Sequence, residues 1–578
     1  MIFFHVYNEA CFAGLEKNGL LNADSGFKIQ HCFAVPKPRQ FNNIAAVGGR
    51  LHSLIREGHT PFYVDRIAGG ITYYPYAFDK SLIAEYRRLL GDWFLGFQMH
   101  ESASNRRGAE WPRMIKAMGS KGPYDAAEMR RRMVSPSAVT PEGEHLIGLS
   151  HDTPEYYAGR TYAETVPDFI EEVRDMFGRR LAETDDNILP CDSFYLFTKL
   201  QDEMGMRTFM PEVGCQIPMM RIAIALARGT AKISHKTWGA YYECWRSMPD
   251  GTYCMPCFNS DPIIEWYLTQ ETHPDDFTTF GPNGGSSRLL QNRIYHHALM
   301  SGADYFSEEW GLNCSYTDMQ DFTLSPYGQV KKDFIRTAEG LRGIRAVVPF
   351  AVVLPREYIC VELPGTRSMD TWKCGLHRDQ YLRTPLSDAE KAFYGHVEDV
   401  LKLLYGRAED RPDSEAHVLT NSRFGDLFDL VYEDAGEAAL AGYSYLIDAS
   451  PDGRFAKSPA GRRFRTLESA DLDALAREIG RLTSAEMPCT ADGLDWLVSV
   501  GEKGQRYLSL FNNEGNERFL DRGDVLDHRM DRWVTVRFRE TPQPRLVTSS
   551  DDSVEIRKAD DGTYRVFVPA AGFTVLAF

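Results

Sequence analysis

Short apolar runs alternate with stretches of helical period along roughly the first half of the chain. Runs of strand length stand at 2–7, 27–33, 61–67, 93–100, 188–192, 208–211, 237–243 and 303–307. Between them, apolar residues recur at three- and four-residue spacing over 41–56, 81–90, 166–181, 218–232 and 288–300. The segment Ile222-Ala223-Ile224-Ala225-Leu226-Ala227 is apolar nearly all round, which predicts a helix covered on every side. Eight strand-then-helix alternations predict a (β/α)8 barrel with insertions, a fold that usually takes ~250 residues. The stretch 106–164 is rich in Gly, Pro and charge and reads as a long excursion over the barrel mouth.

Past residue 343 the pattern changes. The run 346–354 is continuously apolar, as a parallel strand buried on both faces would be. A helical pattern over 387–404 and apolar runs at 428–432 and 443–447 complete a small flavodoxin-like α/β domain. After Pro488 the period becomes two, at 496–500, 506–511, 533–538 and 564–568, with turn residues between, as in a β-sandwich. The expected organisation is a catalytic barrel over 1–342, an α/β domain over 343–485 and a β-sandwich over 486–578.

Composition narrows the function classes. The 578 residues carry 81 acidic and 65 basic side chains, a net charge of −16, which argues against a nucleic-acid partner. No apolar run approaches the ~20 residues that span a bilayer, so no membrane partner is expected. The start, Met1-Ile2-Phe3-Phe4, is too short and lacks the basic region of a secretion signal, which favours a cytoplasmic location. Eleven scattered cysteines read as reduced thiols, not a disulfide framework.

Active sites of such barrels lie at the C-terminal ends of the strands. Strand 4 ends in Gln98-Met99-His100-Glu101, strand 6 in Met210-Pro211-Glu212 and strand 7 in Tyr241-Tyr242-Glu243, followed by Cys244-Trp245. Strand 8 runs into Glu308-Glu309-Trp310, strand 3 offers Asp65 and Arg66, and strand 1 leads to Asn8. Acids, amides and aromatics therefore converge on one rim. Cleaving a glycosidic bond needs a carboxylic acid to protonate the leaving oxygen and a carboxylate to attack the anomeric carbon or activate water. Alternation on strand 7 puts Tyr241 on the face of Glu243, where its hydroxyl could orient the carboxylate.

Glutamates after strands 4 and 7, with the three-part layout, resemble the clan of retaining β-glycosidases with (β/α)8 barrels. Within it the layout is similar to family 42 β-galactosidases and a related β-mannosidase family. The resemblance implies Glu101 as acid/base and Glu243 as nucleophile; a shift of one strand would promote Glu212 or Glu309. His100 stands where the clan usually has asparagine. Around this pair, Asn8, Asp65, Arg66, His100, Glu212, Tyr241, Trp245, Glu309 and Trp310 are the expected substrate contacts. The implied activity is exo-hydrolysis of a terminal β-mannoside or β-galactoside from an oligosaccharide, with no cofactor and no metal. The resemblance also implies a homotrimer assembled through the middle domain. Two alternatives stay open: an inverting or otherwise different carbohydrate enzyme, and a non-catalytic sugar-binding barrel.

Other constellations are weaker. Cys254 and Cys257, with Cys244 and Cys215 upstream, give one CxxC pair where a structural zinc needs four ligands. His296-His297 reads as packing or surface, and the loop 281–287 lacks the preceding strand of a phosphate loop. No G-x-S-x-G suggests an esterase. Cys360 and Cys374 have no evident histidine partner.

Overall fold

In the computed structural model, eight parallel strands close into a barrel: β1 (Ile2–Val6), β2 (Ser25–Ile29), β3 (Phe62–Ala68), β4 (Phe94–His100), β5 (Ile188–Asp192), β6 (Thr208–Gly214), β7 (Thr237–Glu243) and β8 (Tyr305–Glu308). The ring closes where Ile2 pairs with Phe306. The structure describes residues 1–6, 9–22, 25–29, 37–68, 77–100, 125–139, 145–147, 166–192, 197–214, 220–244, 246–247, 253–256, 258, 279–309, 311–318, 320–360, 387–406, 415, 419, 422–540 and 542–578. The expected excursion over 106–164 falls mostly outside them.

Strand alternation sorts the barrel side chains into two layers. Phe3, Tyr63, Leu95, Leu189, Cys191, Met210, Tyr241 and Tyr305 pack together inside the ring. Their neighbours Ile2, Phe4, Phe62, Val64, Phe209, Trp238, Ala240, Tyr242 and Phe306 belong to the larger core under the helices. The interior is thus filled, as is usual for eight strands.

Among the surrounding helices, α1 (Lys80–Leu90) starts at Asp79, whose carboxylate accepts the Ser81 and Leu82 amides. Helix α2 (Val166–Thr184) precedes β5, α3 (Met220–Ser234) lies between β6 and β7, and α4 (Arg288–Met300) lies between β7 and β8. Helix α5 (Pro326–Glu339) follows β8, capped by Ser325 with proline in its first turn. The helix expected over 41–56 is two, Lys37–Ile44 and Arg50–Gly58, broken at Gly48-Gly49, where Gly48 takes φ +81°. Helix α3 is buried at every residue from Met220 to Ala231, matching its apolar surround.

The middle region has a four-stranded parallel sheet: β9 (Phe350–Leu354), β10 (Phe428–Tyr432), β11 (Tyr445–Asp448) and β12 (Thr466–Glu468), in the order β10-β9-β11-β12. That is a doubly wound order, with the first strand inside. Helices α6 (Asp388–Tyr405) and α7 (Leu472–Glu486) supply Val397, Leu401, Leu404, Leu475 and Ile479 to the same core as Phe350, Val352, Leu430 and Ile447. The other face carries Ala351, Val353, Val431 and Leu446, covered by Leu440, Tyr443 and Phe455 with Ile233 of α3 at its edge. Helix α3 lies so close to β10 that a Cβ on Gly229 would sit 2.4 Å from the Leu430 carbonyl oxygen.

The C-terminal strands are β13 (Cys489–Ala491), β14 (Asp495–Val500), β15 (Arg506–Phe511), β16 (Asn516–Phe519), β17 (Gly523–Leu526), β18 (Arg532–Phe538), β19 (Arg545–Ser549), β20 (Ile556–Lys558), β21 (Tyr564–Val568) and β22 (Phe573–Ala577). They form two antiparallel sheets, β14-β15-β22-β19 and β13-β18-β21-β20, with β16 and β17 as a separate hairpin. Arg345–Ala346, at the exit of the barrel, joins the edge of the first sheet beside β14. Among the described residues, no helix is long and apolar enough to cross a membrane.

Candidate active site

At the C-terminal end of the barrel the inward layer turns from apolar to ionisable. The same alternation that places Tyr63, Leu95, Met210, Tyr241 and Tyr305 inside places Asp65, Glu212 and Glu243 one step further along their strands. His100 closes β4, and Glu309 follows β8 directly, its amide donating to the Tyr242 carbonyl and so extending the pairing with β7. All five are buried, none more than 6% exposed.

His100 is the hub. Its Nε2 lies 3.7 Å from Glu212 Oε1 and 3.6 Å from Glu309 Oε1, and its ring meets Tyr241 edge-on at 5.5 Å between centroids. One ligating atom from each of His100, Glu212 and Glu309 lies within 4.8 Å of the other two, so these three side chains could hold a metal ion, although none was expected. Across the ring, Lys28 of β2 donates to the Glu308 carbonyl at 2.5 Å, sits 3.6 Å from Asp65 and lies 4.9 Å from the Tyr241 ring centre. Tyr63 and Ser307 share a 2.6 Å hydrogen bond beneath them. Cys191 is no nucleophile candidate: burial, reinforced by the Glu212 charge, pushes its thiol well above the ordinary range.

Glu243 ends β7 and packs where strand β6 leaves room. A Cβ on Gly214, its partner across the ladder, would lie 2.3 Å from the Glu243 carbonyl oxygen and 2.6 Å from its Cβ. Its chain neighbours are pinned from outside the barrel. Tyr242 OH hydrogen-bonds Ser286 Oγ, and the Ser286 amide donates to the Cys244 carbonyl at 3.0 Å. Tyr242 therefore packs outward against the helix layer, at 5.7 Å from Tyr295.

The two adjacent acids of strand 8 part ways. Glu308 points outward, pairing with Lys331 of α5 and accepting from Tyr295 at 2.9 Å, while Glu309 points to His100. Of the residues expected at the site, Asp65, His100, Glu212, Tyr241 and Glu309 are linked by these contacts through His100 and Lys28, and Glu243 stands two residues beyond Tyr241 on the same face of β7. Glu101, Asn8, Trp245 and Trp310 lie outside the described residues, as does the side chain of Arg66. Lys28, Tyr63 and Ser307 were not singled out in the sequence; alternation from Phe27, Val64 and Phe306, all outward, would have found them.

The weaker constellations resolve in part. Cys244 and Cys254 are buried and form no disulfide, and Cys215 and Cys257 lie outside the described residues, as do the Cys360 side chain and all of Cys374. His296 stacks on Phe573 at 4.1 Å, and burial lowers its pKa to about 4. His297 Nε2 lies 3.4 Å from Asp426. Both histidines therefore pack where α4 meets later parts of the chain.

No protein-family model matches the chain, and no curated protein does. Among solved structures it is similar to α-L-fucosidase isoenzyme 2 from Paenibacillus thiaminolyticus, at 8% identity and a TM-score of 0.44, over 100% of this chain and 99% of that one. A β-galactosidase from Bacillus circulans sp. alkalophilus gives 9% identity and 0.44, over 100% and 98%. A β-galactosidase from the Antarctic haloarchaeon Halorubrum lacusprofundi gives 12% identity and 0.33, over 100% and 99%. At such values these likenesses decide nothing about chemistry, which rests on the residues of the barrel mouth.

Proposed function

We propose that the protein is a glycoside hydrolase, acting with retention on terminal β-linked hexoses such as mannosides or galactosides, with Glu243 as nucleophile and Glu101 as acid/base. The observation that carries this reading is the inward, buried Glu243 at the end of β7, on the rim where β4 ends in His100 and leads into Glu101. A buried carboxylate with reacting partners on the same rim suits a covalent intermediate, which needs the two carboxyl groups ~5–5.5 Å apart. Asp65, Glu212, Glu309 and His100 add acceptors and donors that would read sugar hydroxyls around the pair. One group must stay protonated while its partner stays ionised, and the crowding of acids on this rim favours such a split.

Incubation with 2-deoxy-2-fluoro glycosides bearing a good leaving group should trap the intermediate, and peptide mapping should find the label on Glu243. Label on Glu212 or Glu309 would move the nucleophile. Turnover with inverted anomeric configuration by NMR would replace the mechanism. Glu101→Ala should spare activated aryl glycosides and respond to azide; uniform loss without rescue counts against its role.

The His100, Glu212 and Glu309 constellation favours a second reading, a carbohydrate enzyme assisted by a divalent cation. Activity abolished by chelation and restored by one equivalent of metal would select it. For assembly we propose a trimer through the middle domain; light scattering giving a particle of only 65.6 kDa would exclude it.

A further inference from the structure

The barrel mouth is held from outside by the C-terminal domain. The chain leaves β7 at Glu243 and re-enters helix α4 at Arg288, and the last residues before that helix run beneath the β16–β17 hairpin. Arg518 of β16, 5% exposed, points its guanidinium at this segment. Nη2 donates to the Pro282 carbonyl at 2.8 Å and to the Gly284 carbonyl at 3.0 Å, and Nε reaches Gly284 at 3.3 Å. Nη1 is held by Asp524 of β17 at 2.8 Å, and the cation lies 5.7 Å from the Tyr327 ring centre.

The contact is reciprocal. Arg246, just past strand 7, donates to the Arg518 carbonyl at 2.5 Å, and Asn283 Nδ2 donates to the Leu520 carbonyl at 3.0 Å. From Gly284 two residues lead to Ser286, which hydrogen-bonds both Tyr242 and Cys244, the flanks of Glu243. Tyr327, beside the Arg518 cation, donates to the Ser286 carbonyl. Next in the chain, Ser287 caps α4 and is bound through its amide and hydroxyl by Glu415, which also accepts from Asn516 of β16. A planar fork of fixed donors aimed at two backbone carbonyls fixes position and direction together, which a packed apolar side chain would not.

We propose that Arg518 is a positioning residue for the β7 carboxylate, so that the C-terminal β-domain forms part of the active site. The proposal rests on Glu243 as the reacting carboxylate. Displacement of a reacting group by a fraction of an ångström to 1 Å costs up to about 100-fold in rate, so a clamp two hydrogen-bonded steps away is within reach of the chemistry.

The test uses the full-length chain carrying Arg518→Met and Arg518→Lys, with Asp524→Asn as a milder variant should the first fail to fold. Amide hydrogen exchange is measured over 242–244 and 282–287, together with kcat, KM and the rate of fluoro-sugar labelling. Arg518→Met should speed exchange in both segments, leave β20 and β21 unchanged and slow labelling by about tenfold or more, through kcat more than KM. Arg518→Lys should recover part of that loss, and Asp524→Asn should move the same amides by less. Faster exchange confined to 516–526, or unchanged labelling in a folded Arg518→Met protein, overturns the proposal. If no sugar labels the wild-type protein, the glycosidase reading fails, and exchange at 242–244 still decides whether Arg518 holds that strand end.

Discussion

Among the described residues, the buried carboxylates at the seam and those at the barrel mouth are built on opposite plans. At the seam of the three regions, Asp426, Asp429 and Asp495 meet Arg221 and Arg228 of α3 and His297 of α4. Arg228 Nε is 2.6 Å from Asp429, its Nη1 is 3.1 Å from Asp426, and Arg221 Nη1 is 3.1 Å from Asp495. Acids there are interleaved with guanidinium groups that cannot lose their charge. At the barrel mouth, Asp65 meets Lys28, Glu212 and Glu309 meet the imidazole of His100, and Glu243 is buried at the end of β7. The first arrangement locks surfaces together; the second crowds acids at the open end of the barrel. Burial alone does not tell a structural acid from a reactive one. The surroundings differ, with two guanidinium groups among the seam acids and an imidazole between two glutamates at the mouth.

The contrast breaks most visibly if the two groups are mutated in parallel. Glu243→Gln is expected to lower kcat by about 1,000-fold or more, some 4 kcal/mol of barrel chemistry, with little change in melting temperature. Steady-state kinetics beside calorimetry checks this, and a Glu243→Gln protein with ordinary turnover would end the assignment. Arg228→Met should do the reverse. Removing one partner of a buried ion pair costs about 3–5 kcal/mol, so denaturant midpoints should fall sharply while kcat per folded molecule holds.

A change of pH separates two acids within the seam. Burial pushes Asp426 up, but Arg228, a hydrogen bond from His297 and Arg221 outweigh it and hold its carboxyl well below 3.8. Its contribution is present above 3.8 and is lost as pH falls through its folded value. Asp495 goes the other way, since burial raises it to about 6 against the pull of Arg221 and His297. Its contribution is full below 3.8 and fades as pH rises through about 6. Asp495→Asn should therefore gain stability relative to wild type between pH 4 and pH 8, by an amount on the order of 1–3 kcal/mol. A difference in melting temperature that stays flat across that range would show that the shift is not there.

The smallest effect sharpens the same rule at neighbouring positions. Glu309→Gln should lower kcat by about tenfold at constant stability, since it faces His100. Glu308→Gln should leave kcat within about twofold and cost roughly 1–3 kcal/mol through Lys331 and Tyr295. Equal kinetic effects at both positions would mean that strand 8 does not divide them as described.

All eight barrel strands were legible as short apolar runs, because each must be apolar on its outward face to meet the helices. The sixth was read too short, ending at Pro211, which usually marks a strand end; it continues to Gly214 and carries Glu212 inside the ladder. Period two also separates Glu308 from Glu309, yet the double Glu masks it until the register of Ser307 is known. The seam was illegible for another reason. Arg221 and Arg228 flank the apolar heart of α3, but Asp429 stands 201 positions beyond Arg228, and no local pattern joins them. Likewise, nothing around Arg518 points to Pro282 or Gly284.

The buried arginines of α3 also bear on how the chain is made. While a ribosome is still synthesising residues before Asp426, the barrel exists with one helix whose outer side carries two guanidinium groups and the small residues meant to lie on β10. In water the two guanidinium groups are solvated, but the apolar residues around them stay uncovered, and burying that side elsewhere would strand the charges without their acids. Until the downstream acids and β10 emerge, that apolar side of α3 has nothing to pack on. A fragment ending at residue 342 should accordingly precipitate or bind chaperones, and co-expression with 343–578 as a separate chain should bring it back into solution.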